Sequence, residues 1–468
     1  MTTENYDLII IGTGSGNSVI SAEMNDWRIA IVERWTFGGT CLNRGCIPSK
    51  MLVYAADVAE SAAHDNGPQY GVTTRFESAD WPAIVQRVYG RIDPIAESGR
   101  QYRHSLPNVT VYEGNARFVG ERTIEISGPH ISAQRITGER IVVAAGARSF
   151  IPAIHGIDEV PYETSDTILR IARQPKHLLV IGGGFIAAEL GHVFRSLGSR
   201  VTIINRGHHL LAAEDRDVSA RYTELAARRF DLLLGSTVHA VYMTAEGIGM
   251  HVTCVGGEQR VEGDTLLVAA GRLANGDELD SHAAGIEIGP LGNVVVDAYG
   301  RTSASGVWAL GDVNGRHQLK HMANGEAKTV QHNLLHPDDL QPLDARPAPH
   351  AVFGSPQVGA VGLTQSQAEA LGRPITVINH SYGDAAYGWA LEDSSGFCKL
   401  IGDPATRTLL GAHVLGYQAS VLVQLLVQGM HLGSTVDEMA NGQVWIHPAV
   451  AEVVEQALLK LLDAFDGL

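Results

Sequence analysis

The chain of 468 residues is 45% hydrophobic and 18% charged, and its formal net charge is −16 at pH 7. This length corresponds to about three domains, and the acidic balance argues against nucleic acids and anionic membranes as partners, because both bind basic surfaces. No apolar stretch reaches the ~18 residues that span a bilayer, and the first residues lack a basic segment and a cleavage site, so we expect a cytoplasmic protein without a signal peptide.

A glycine-rich turn between two apolar strands opens the chain. The apolar residues at 6–11 predict a buried parallel strand, and Gly12 and Gly14 follow in a turn that lets a pyrophosphate approach a helix N-terminus. We expect this helix to run to about Asn25. A second strand then ends at Glu33, where a carboxylate can accept hydrogen bonds from a ribose. The segment therefore predicts a site for an adenine dinucleotide with a free 2′-hydroxyl group.

Two of the four cysteines, Cys41 and Cys46, follow this unit closely. A structural disulfide is unusual in a long chain with few cysteines, and no further pair completes a zinc site, because Cys254 and Cys398 are isolated. A redox-active dithiol is the better interpretation, and we expect no metal. Pro48 suits the first turn of a helix, which would place Cys46 near a helix N-terminus, where the dipole favours the thiolate.

The same order of elements recurs in the middle of the chain. A strand at 178–181 precedes a turn that contains Gly182 and Gly184, and a helix and a second strand at 200–204 follow. One glycine-rich turn is a weak signal, whereas two in the same context are specific. The repetition predicts a second dinucleotide site.

The end of the second strand distinguishes the two units. Glu33 ends that strand in the first unit, but the second unit has the neutral Asn205 followed by Arg206. A carboxylate repels a 2′-phosphate, whereas a guanidinium can pair with it. We therefore predict that the second site binds NADPH, and the alternative is that Arg206 is only a solvated residue at the end of a strand.

Three further segments connect the two units. The strand-and-turn segment at 141–148, which contains Gly146, follows the first unit, and a similar segment at 266–272 follows the second. A third strand, at 306–313, ends in a glycine and Asp312. An acidic residue at the carboxyl end of a strand is well placed to bind polar groups of a cofactor, so we expect Gly146 and Asp312 to contact the first dinucleotide.

With these features in this order, the chain resembles the flavoprotein (pyridine nucleotide) disulfide reductases over essentially its whole length. The resemblance implies an α/β fold with two Rossmann-like dinucleotide-binding domains and a C-terminal α+β dimerisation domain. The implied cofactors are FAD and NADPH, and the implied assembly is a homodimer. The expected segments are an FAD-binding domain at 1–155, an NADPH-binding domain at 156–274, a continued FAD-binding domain at 275–340 and an interface domain at 341–468.

The resemblance also implies roles for the residues around the dithiol. Cys46 would be the thiolate that faces the flavin, and Cys41 would attack the substrate disulfide. Lys50 and Glu189 match the ion pair that relatives have near the reactive nitrogen of the flavin. Arg44 stands where relatives usually carry valine, and two interpretations stay open for it: a solvated side chain, or a charge that lowers the pKa of a neighbouring thiol.

The C-terminal region contributes a histidine to this chemistry. His447, Pro448 and the downstream Glu452 match the histidine–proline motif of the family. Thiol–disulfide exchange needs a proton donor for the leaving thiolate and a base for the attacking thiol. A histidine serves both roles near neutral pH, and a carboxylate partner fixes its tautomer. The resemblance implies that His447 serves the dithiol of the other subunit.

The predicted substrate is mycothione, the disulfide of mycothiol. The chain is most similar to the family members that reduce mycothione, at residues 12–17, 382–390 and 445–448. Glutathione reductases hold a substrate carboxylate with an arginine where this chain has Ala22, and mercuric reductases carry a C-terminal cysteine pair, whereas no cysteine follows Cys398. The alternatives are a dihydrolipoamide dehydrogenase, and a flavin-binding scaffold or redox sensor.

Overall fold

The structure, a computed structural model, describes residues 3–63, 68–129 and 131–467. Its helices are α1 Gly39–Arg44, α2 Cys46–Ser61, α3 Trp81–Ser105, α4 Phe185–Ser196, α5 Arg216–Ala226, α6 Lys320–Leu335, α7 Gln365–Glu369, α8 Ala386–Ala390, α9 Ala419–Leu432, α10 Val436–Asn441 and α11 Glu452–Asp466. Within the described ranges, none of them combines the length and apolar character needed to cross a membrane.

The strands form five sheets in the described part of the chain. They are β1 Glu4–Ile11, β2 Ile29–Glu33, β3 Val109–Glu113, β4 Asn115–Gly120, β5 Thr123–Gly128, β6 Ile131–Val143, β7 Ala147–Ser149, β8 His177–Ile181, β9 Arg200–Asn205, β10 Asp231–Leu234, β11 Thr237–Met243, β12 Ile248–Cys254, β13 Gly257–Gly263, β14 Thr265–Val268, β15 Arg272–Ala274, β16 Val307–Ala309, β17 His350–Val352, β18 Gln357–Gly362, β19 Thr376–Ser381, β20 Phe397–Asp403 and β21 Thr408–Gly416.

The sheet of the first unit has a parallel and an antiparallel part. Strands β3, β2, β1 and β6 lie side by side in parallel, and β16 pairs with the end of β6. Leu8, Ile9 and Ile10 of β1 are fully buried, as expected for a central parallel strand. The strands β4 and β5 extend the sheet as an antiparallel meander with the start of β6. Because parallel strands end at the same edge, the turns after β1, β2, β6 and β16 lie close together.

The second unit repeats the parallel arrangement at a smaller size. Strands β10, β9, β8 and β14 form a parallel sheet, and β11, β12 and β13 form a separate antiparallel one. Helix α4 packs against β8 and β9. Leu178, Leu179 and Val180 of β8 are fully buried, which explains why the sequence reads there as an uninterrupted apolar run.

The C-terminal region is a five-stranded antiparallel sheet in the order β17, β18, β21, β20, β19. Helix α9 packs on β18 and β21, and α11 packs on β19 and β20. Two Rossmann-type units followed by an α+β domain are the fold class that the sequence predicted, and that prediction is confirmed. The residue limits proposed for the segments stay a prediction.

The α-helix expected after the first glycine turn is absent, so this prediction is wrong. The segment instead forms two short 3₁₀ turns, Ser15–Ser18 and Ala22–Met24. The Arg103 guanidinium donates hydrogen bonds to the backbone carbonyl oxygen of Asn17 at 2.8 Å and to its side-chain oxygen at 2.7 Å. A carbonyl that would accept a helical hydrogen bond is thus bonded to a distant side chain, and the chain turns away after less than two turns.

Candidate dithiol active site

A cavity of about 1470 Å³ is lined by the first unit, by α4 and by the C-terminal sheet. It is large enough for a dinucleotide, since pockets for drug-sized ligands measure about 300–1,000 Å³. The predicted site residues that line it are Gly12, Gly14, Glu33, Cys41, Cys46, Lys50, Gly146, Glu189 and Asp312. Those that lie outside its lining are Gly182, Gly184, Arg206, His447 and Glu452.

The two glycine turns share one backbone geometry. Gly12 has a φ of +104° and Gly182 a φ of +122°, values that favour glycine. A Cβ atom on Gly12 would lie 2.4 Å from the carbonyl oxygen of Ala144, and one on Gly182 would lie 2.2 Å from that of Ala269. Ala144 and Ala269 belong to the two strand-and-turn segments found in the sequence. These segments therefore pack directly against the turns, and no side chain fits between them.

Glu33 is buried at the wall of the cavity and held by hydrogen bonds. The backbone N–H and the hydroxyl of Thr13 donate to its Oε2 atom at 2.9 and 2.5 Å, and the backbone N–H of Trp35 donates to Oε1 at 2.8 Å. A carboxylate oxygen has further lone pairs, so Glu33 can still accept hydrogen bonds from a ribose. Sequence reasoning missed Thr13, although its position between two glycines of the turn was visible.

The two cysteines lie at the junction of two helices. Cys41 belongs to α1, and Cys46 is the first residue of α2, so the positive end of the α2 dipole lies at Cys46. Both thiols are free. Asn43 between them is buried and donates to the backbone carbonyl oxygens of Phe37 at 2.9 Å and Gly39 at 3.0 Å. These bonds fix the short helix that carries Cys41, a role that the sequence did not reveal.

The two thiols differ in acidity because a hydrogen bond from Cys41 to Cys46 joins them. The hydrogen bond from the Cys41 thiol lowers the pKa of Cys46 to about 7, against the effect of burial and with the help of the Lys50 charge. The same hydrogen bond and burial raise the pKa of Cys41, while the charge of Lys320 acts in the opposite direction. Cys46 therefore ionises first, and Cys41 keeps the proton.

An ion pair joins the dithiol helix to the second unit. Lys50 of α2 lies with its Nζ atom 2.5 Å from Oε2 of Glu189 on α4. The other oxygen of Glu189 accepts a hydrogen bond from the backbone N–H of Phe353 at 3.0 Å, and Lys50 Nζ lies 4.6 Å from the centre of the Phe353 ring. The Glu189 side chain is only 6% exposed, so these partners hold its charge in a fixed position. Sequence reasoning missed Phe353.

A second polar network joins the same two helices. Nε2 of the fully buried His192 on α4 contacts Oδ1 of Asp57 on α2 at 2.8 Å, and the Arg229 guanidinium donates to Nδ1 of His192 at 3.2 Å. Arg229 also pairs with Glu60 at 3.1 Å. Asp57, Glu60 and His192 are close enough to ligate a metal, but the guanidinium already supplies a positive charge there. The network keeps α2 against α4 and so supports the Lys50–Glu189 pair.

Asp312 follows β16 and reaches the cavity beside two cations. Burial raises the pKa of its carboxyl group, and the charges of Arg272, whose guanidinium lies 4.0 Å away, and of Lys320 lower it. Lys320 begins α6 and donates from Nζ to the Ser15 hydroxyl at 2.8 Å. Sequence reasoning missed Lys320, which has no motif of its own.

The end of β9 leaves one charged side chain without a partner. Arg206 is exposed, and none of the described side chains hydrogen-bonds or ion-pairs with it. The Asn205 amide donates to the backbone carbonyl oxygens of Gly207 at 3.2 Å and His209 at 2.9 Å, so it shapes the loop that follows. Gly184 precedes the intact helix α4, whose N-terminal N–H groups can bind phosphate.

His447 and Glu452 are in contact with each other and lie outside the lining of the cavity that contains the dithiol of their own chain. Nδ1 of His447 lies 2.7 Å from Oε1 of Glu452, and the Glu452 Oε2 atom accepts from the backbone N–H of Ala449 at 3.1 Å. The hydrogen bond with His447 lowers the pKa of Glu452. The His447 side chain is 73% exposed, so its other ring nitrogen is accessible from outside the chain.

Comparison with known proteins assigns the family. Residues 6–327 match the pyridine nucleotide-disulphide oxidoreductase family, and residues 348–458 match the dimerisation domain of that family. The chain therefore belongs to the pyridine nucleotide-disulphide oxidoreductases, which confirms the family predicted from the sequence. Membership in this flavoprotein family implies FAD and a nicotinamide nucleotide as cofactors.

Individual relatives match nearly the whole length of the chain. A mycothione reductase of Mycobacterium tuberculosis (strain ATCC 25618 / H37Rv) is 47% identical over 468 residues, which span 98% of this chain and 100% of the relative. A mercuric reductase of Streptomyces lividans is 32% identical and spans 97% of this chain and 95% of the relative. The solved Cu(II) complex of the HOCl-induced flavoprotein disulfide reductase RclA from Escherichia coli has a TM-score of 0.85 and 27% identity, over 99% of this chain and 100% of that chain.

The residues of the cavity fit an FAD molecule. The Gly12 turn leaves no space for a side chain behind it, and Gly14 presents bare backbone on the cavity side. Glu33 offers carboxylate oxygens to a ribose, and Asp312 lies beside the dithiol with a carboxyl group that can bind hydroxyl groups.

Proposed function

We propose that this chain is an NADPH-dependent FAD disulfide reductase that reduces mycothione to two molecules of mycothiol. The observation that carries the proposal is the asymmetric dithiol, in which Cys46 has a pKa of about 7 beside the charge of Lys50, in a cavity large enough for the flavin. The choice of mycothione is supported by the 47% identity to a mycothione reductase.

The chemistry assigns one role to each sulfur. When bound, FAD would transfer the two electrons of NADPH to the Cys41–Cys46 disulfide. Cys41 then attacks one sulfur of mycothione, which releases the first mycothiol and leaves a mixed disulfide at Cys41. Cys46 attacks the Cys41 sulfur, which releases the second mycothiol and restores the disulfide. The sum consumes one NADPH and one proton for each mycothione.

Proton transfer requires a base near Cys41, and His447 lies outside the cavity lining of its own chain. The raised pKa of Cys41, which follows from its hydrogen bond to Cys46, means that its proton must be removed before it can attack. We propose that His447 of the partner subunit takes this proton and returns it to the departing thiolate, while Glu452 stabilises the imidazolium. The dimerisation domain at 348–458, together with the exposure of His447, supports a homodimer with composite sites.

The preference for NADPH rests on Arg206. Its exposed guanidinium has no partner among the described residues and follows the neutral Asn205, so a 2′-phosphate would meet an available positive charge. A preference for NADPH argues against the alternative function, an NAD-dependent dihydrolipoamide dehydrogenase.

A turnover panel tests the proposal directly. Mycothione, glutathione disulfide and lipoamide are each assayed with NADPH and with NADH. We expect the highest kcat/KM for mycothione with NADPH. Faster turnover of lipoamide with NADH would overturn the assignment and favour the dehydrogenase.

The Cys41→Ser variant separates the two halves of the reaction. Flavin reduction by NADPH should persist, while disulfide turnover should fall by at least about 1,000-fold, because the nucleophile is lost. The matched control is Cys254→Ser, which should retain turnover because Cys254 lies outside the cavity lining. Full turnover by Cys41→Ser would contradict the roles given to the sulfurs.

A subunit-mixing experiment tests the composite site. Heterodimers of Cys41→Ala and His447→Ala chains contain one site with both residues intact, so part of the activity should return. Verified heterodimers that stay inactive would contradict the assignment of His447 to the other subunit.

A further inference from the structure

Arg44 is the last residue of α1, and its side chain lies in the cofactor cavity. Its guanidinium carbon is 3.9 Å from the centre of the Trp35 ring, which is a close cation–π contact. Trp35 follows Glu33 by two residues, at the end of the strand where the adenosine ribose of the cofactor is expected. The stacked guanidinium therefore lies on the adenosine side of the cavity.

The Arg44 charge has no partner in the described part of the chain. Its Nε atom is buried without a hydrogen bond, and no described carboxylate forms an ion pair with the guanidinium. Burial lowers the pKa of Arg44, and the charges of Asp166 and Glu33 only oppose this effect from a distance. The buried Nε–H group has lost water without gaining an acceptor, which is costly unless a ligand supplies one.

The neighbouring Arg34 contacts the same aromatic ring and also has an acidic partner. Arg34 lies over the same Trp35 ring at 4.4 Å, but its Nη1 atom pairs with Glu278 at 2.6 Å. Arg34 and Arg44 thus share the aromatic contact and differ in having an acidic partner. This difference leaves the guanidinium of Arg44 able to bind an anionic group of a ligand.

The acidity of the dithiol does not account for Arg44. The positive charges with the largest effect on the thiols are those of Lys50 on Cys46 and of Lys320 on Cys41. The interpretation of Arg44 as a thiol activator therefore lacks support, and the buried Nε atom argues against a fully solvated side chain.

We propose that Arg44, whose guanidinium lies over the Trp35 ring, binds the anionic ADP half of the FAD cofactor, and this inference rests on the proposed function only in taking FAD as the cofactor. A planar guanidinium supplies a fork of donors that matches phosphate oxygens. Because the contact with the aromatic ring already restricts the Arg44 side chain, less conformational entropy is lost when a ligand binds. Arg44 would thereby slow the release of the cofactor without taking part in electron or proton transfer.

The test measures cofactor affinity on the full-length protein after removal of its flavin. The variants are Arg44→Met and the matched control Arg34→Met, and the ligands are FAD, ADP and FMN. We expect Arg44→Met to weaken FAD and ADP binding by about 10- to 100-fold, because hydrogen bonds to charged groups are lost, and to leave FMN binding unchanged. Arg34→Met should weaken all three by less than about threefold, since its partner is a partly exposed carboxylate.

Three further measurements test the contact between Arg44 and the cofactor. Arg44→Lys keeps the charge but not the fork, so its FAD affinity should lie between those of the wild type and Arg44→Met. The salt dependence of ADP binding should be shallower in Arg44→Met, because one phosphate contact is lost. If flavin removal unfolds a variant, the rate of FAD loss from the holoenzyme replaces the titration, and it should rise by the same factor.

Two results would overturn the inference. One is unchanged FAD and ADP affinity in Arg44→Met, and the other is an equal loss in Arg34→Met. Both are independent of the substrate assignment, because ADP binding does not depend on which disulfide is reduced. Failure of the turnover panel would leave the ADP result intact.

Discussion

The two dinucleotide units have the same backbone geometry at the glycine turn but different side chains at the end of the second strand. The backbone N–H of Gly12 donates to the carbonyl oxygen of Val32 at 2.8 Å, and that of Gly182 donates to Ile204 at 2.9 Å. In the first unit, the strand after the turn ends at a buried, hydrogen-bonded carboxylate, Glu33. In the second it ends at the neutral Asn205, and the exposed guanidinium of Arg206, which follows, has no partner among the described residues. The shared backbone is that of a dinucleotide site, and we propose that the residues at the end of the second strand determine which dinucleotide binds.

The helices after the two turns differ as well. The second unit continues into α4, whereas the first forms only 3₁₀ turns that Arg103 holds from a distant helix. We therefore expect cofactor binding at the first site to depend less on a helix dipole and more on side chains, for which we propose Glu33 and Arg44.

The largest effect should come from placing a methyl group in either turn. In Gly12→Ala and Gly182→Ala the new Cβ would lie 2.4 and 2.2 Å from a backbone carbonyl oxygen, and the positive φ adds strain of about 1–3 kcal/mol. Gly12→Ala should purify with little flavin, whereas Gly182→Ala should keep its flavin and lose reduction by NADPH. Flavin absorbance per chain and stopped-flow reduction measure both.

Gly256 provides the control for these two glycine substitutions. Gly256→Ala, where a Cβ atom would meet no neighbour within 4 Å, should behave as the wild type. Loss of flavin from Gly182→Ala with retention in Gly12→Ala would reverse the assignment of the two units.

A smaller loss of FAD affinity should follow removal of the carboxylate charge of Glu33. Glu33→Gln exchanges charge-assisted hydrogen bonds for neutral ones, so we expect FAD to bind about 10- to 100-fold more weakly. Titration of the flavin-free protein with FAD measures this change, and Glu278→Gln is the control. Unchanged FAD affinity would mean that Glu33 holds the Thr13 turn but not the cofactor.

Giving the second unit the acidic residue of the first should change its nucleotide preference. In Asn205→Glu, repulsion of the 2′-phosphate should weaken NADPH about tenfold, while NADH is favoured by the new acceptor. The ratio of kcat/KM for NADPH and NADH reports the change, and Asn205→Gln serves as the neutral control. An unchanged ratio in Asn205→Glu would remove the NADPH assignment from this strand end.

The smallest effect is expected at the ion pair that joins the units. Because the Cys46 pKa is lowered to about 7, its thiolate is present above that pH and is lost as the pH falls through it. Lys50→Met should raise this pKa by roughly one unit, whereas Glu189→Gln, which keeps the cation, should not raise it. Alkylation of the reduced enzyme as a function of pH is the measurement. Equal pKa values in the wild type and Lys50→Met would assign the shift to Cys41 alone.

Much of this arrangement was predictable from the sequence because its parts are local patterns. The glycine turns, Glu33 and the Cys41–Cys46 pair follow their strands at fixed distances, and resemblance to a family brought Lys50 and Glu189 together. The helix after the first turn was predicted wrongly, because a hydrogen bond from Arg103, far along the chain, overrides a local preference. Phe353 contributes a backbone N–H, which no side-chain pattern can reveal.

The bond between Glu189 and the Phe353 backbone has a consequence for synthesis. Phe353 lies after α4 and α6 in the chain, so the backbone donor that completes the hydrogen-bond partners of Glu189 is synthesised after the helix that carries the acceptor. Until the segment around Phe353 packs against α4, Glu189 lacks this hydrogen bond. Completion of the ion pair beside the dithiol therefore requires the start of the C-terminal domain to be in place.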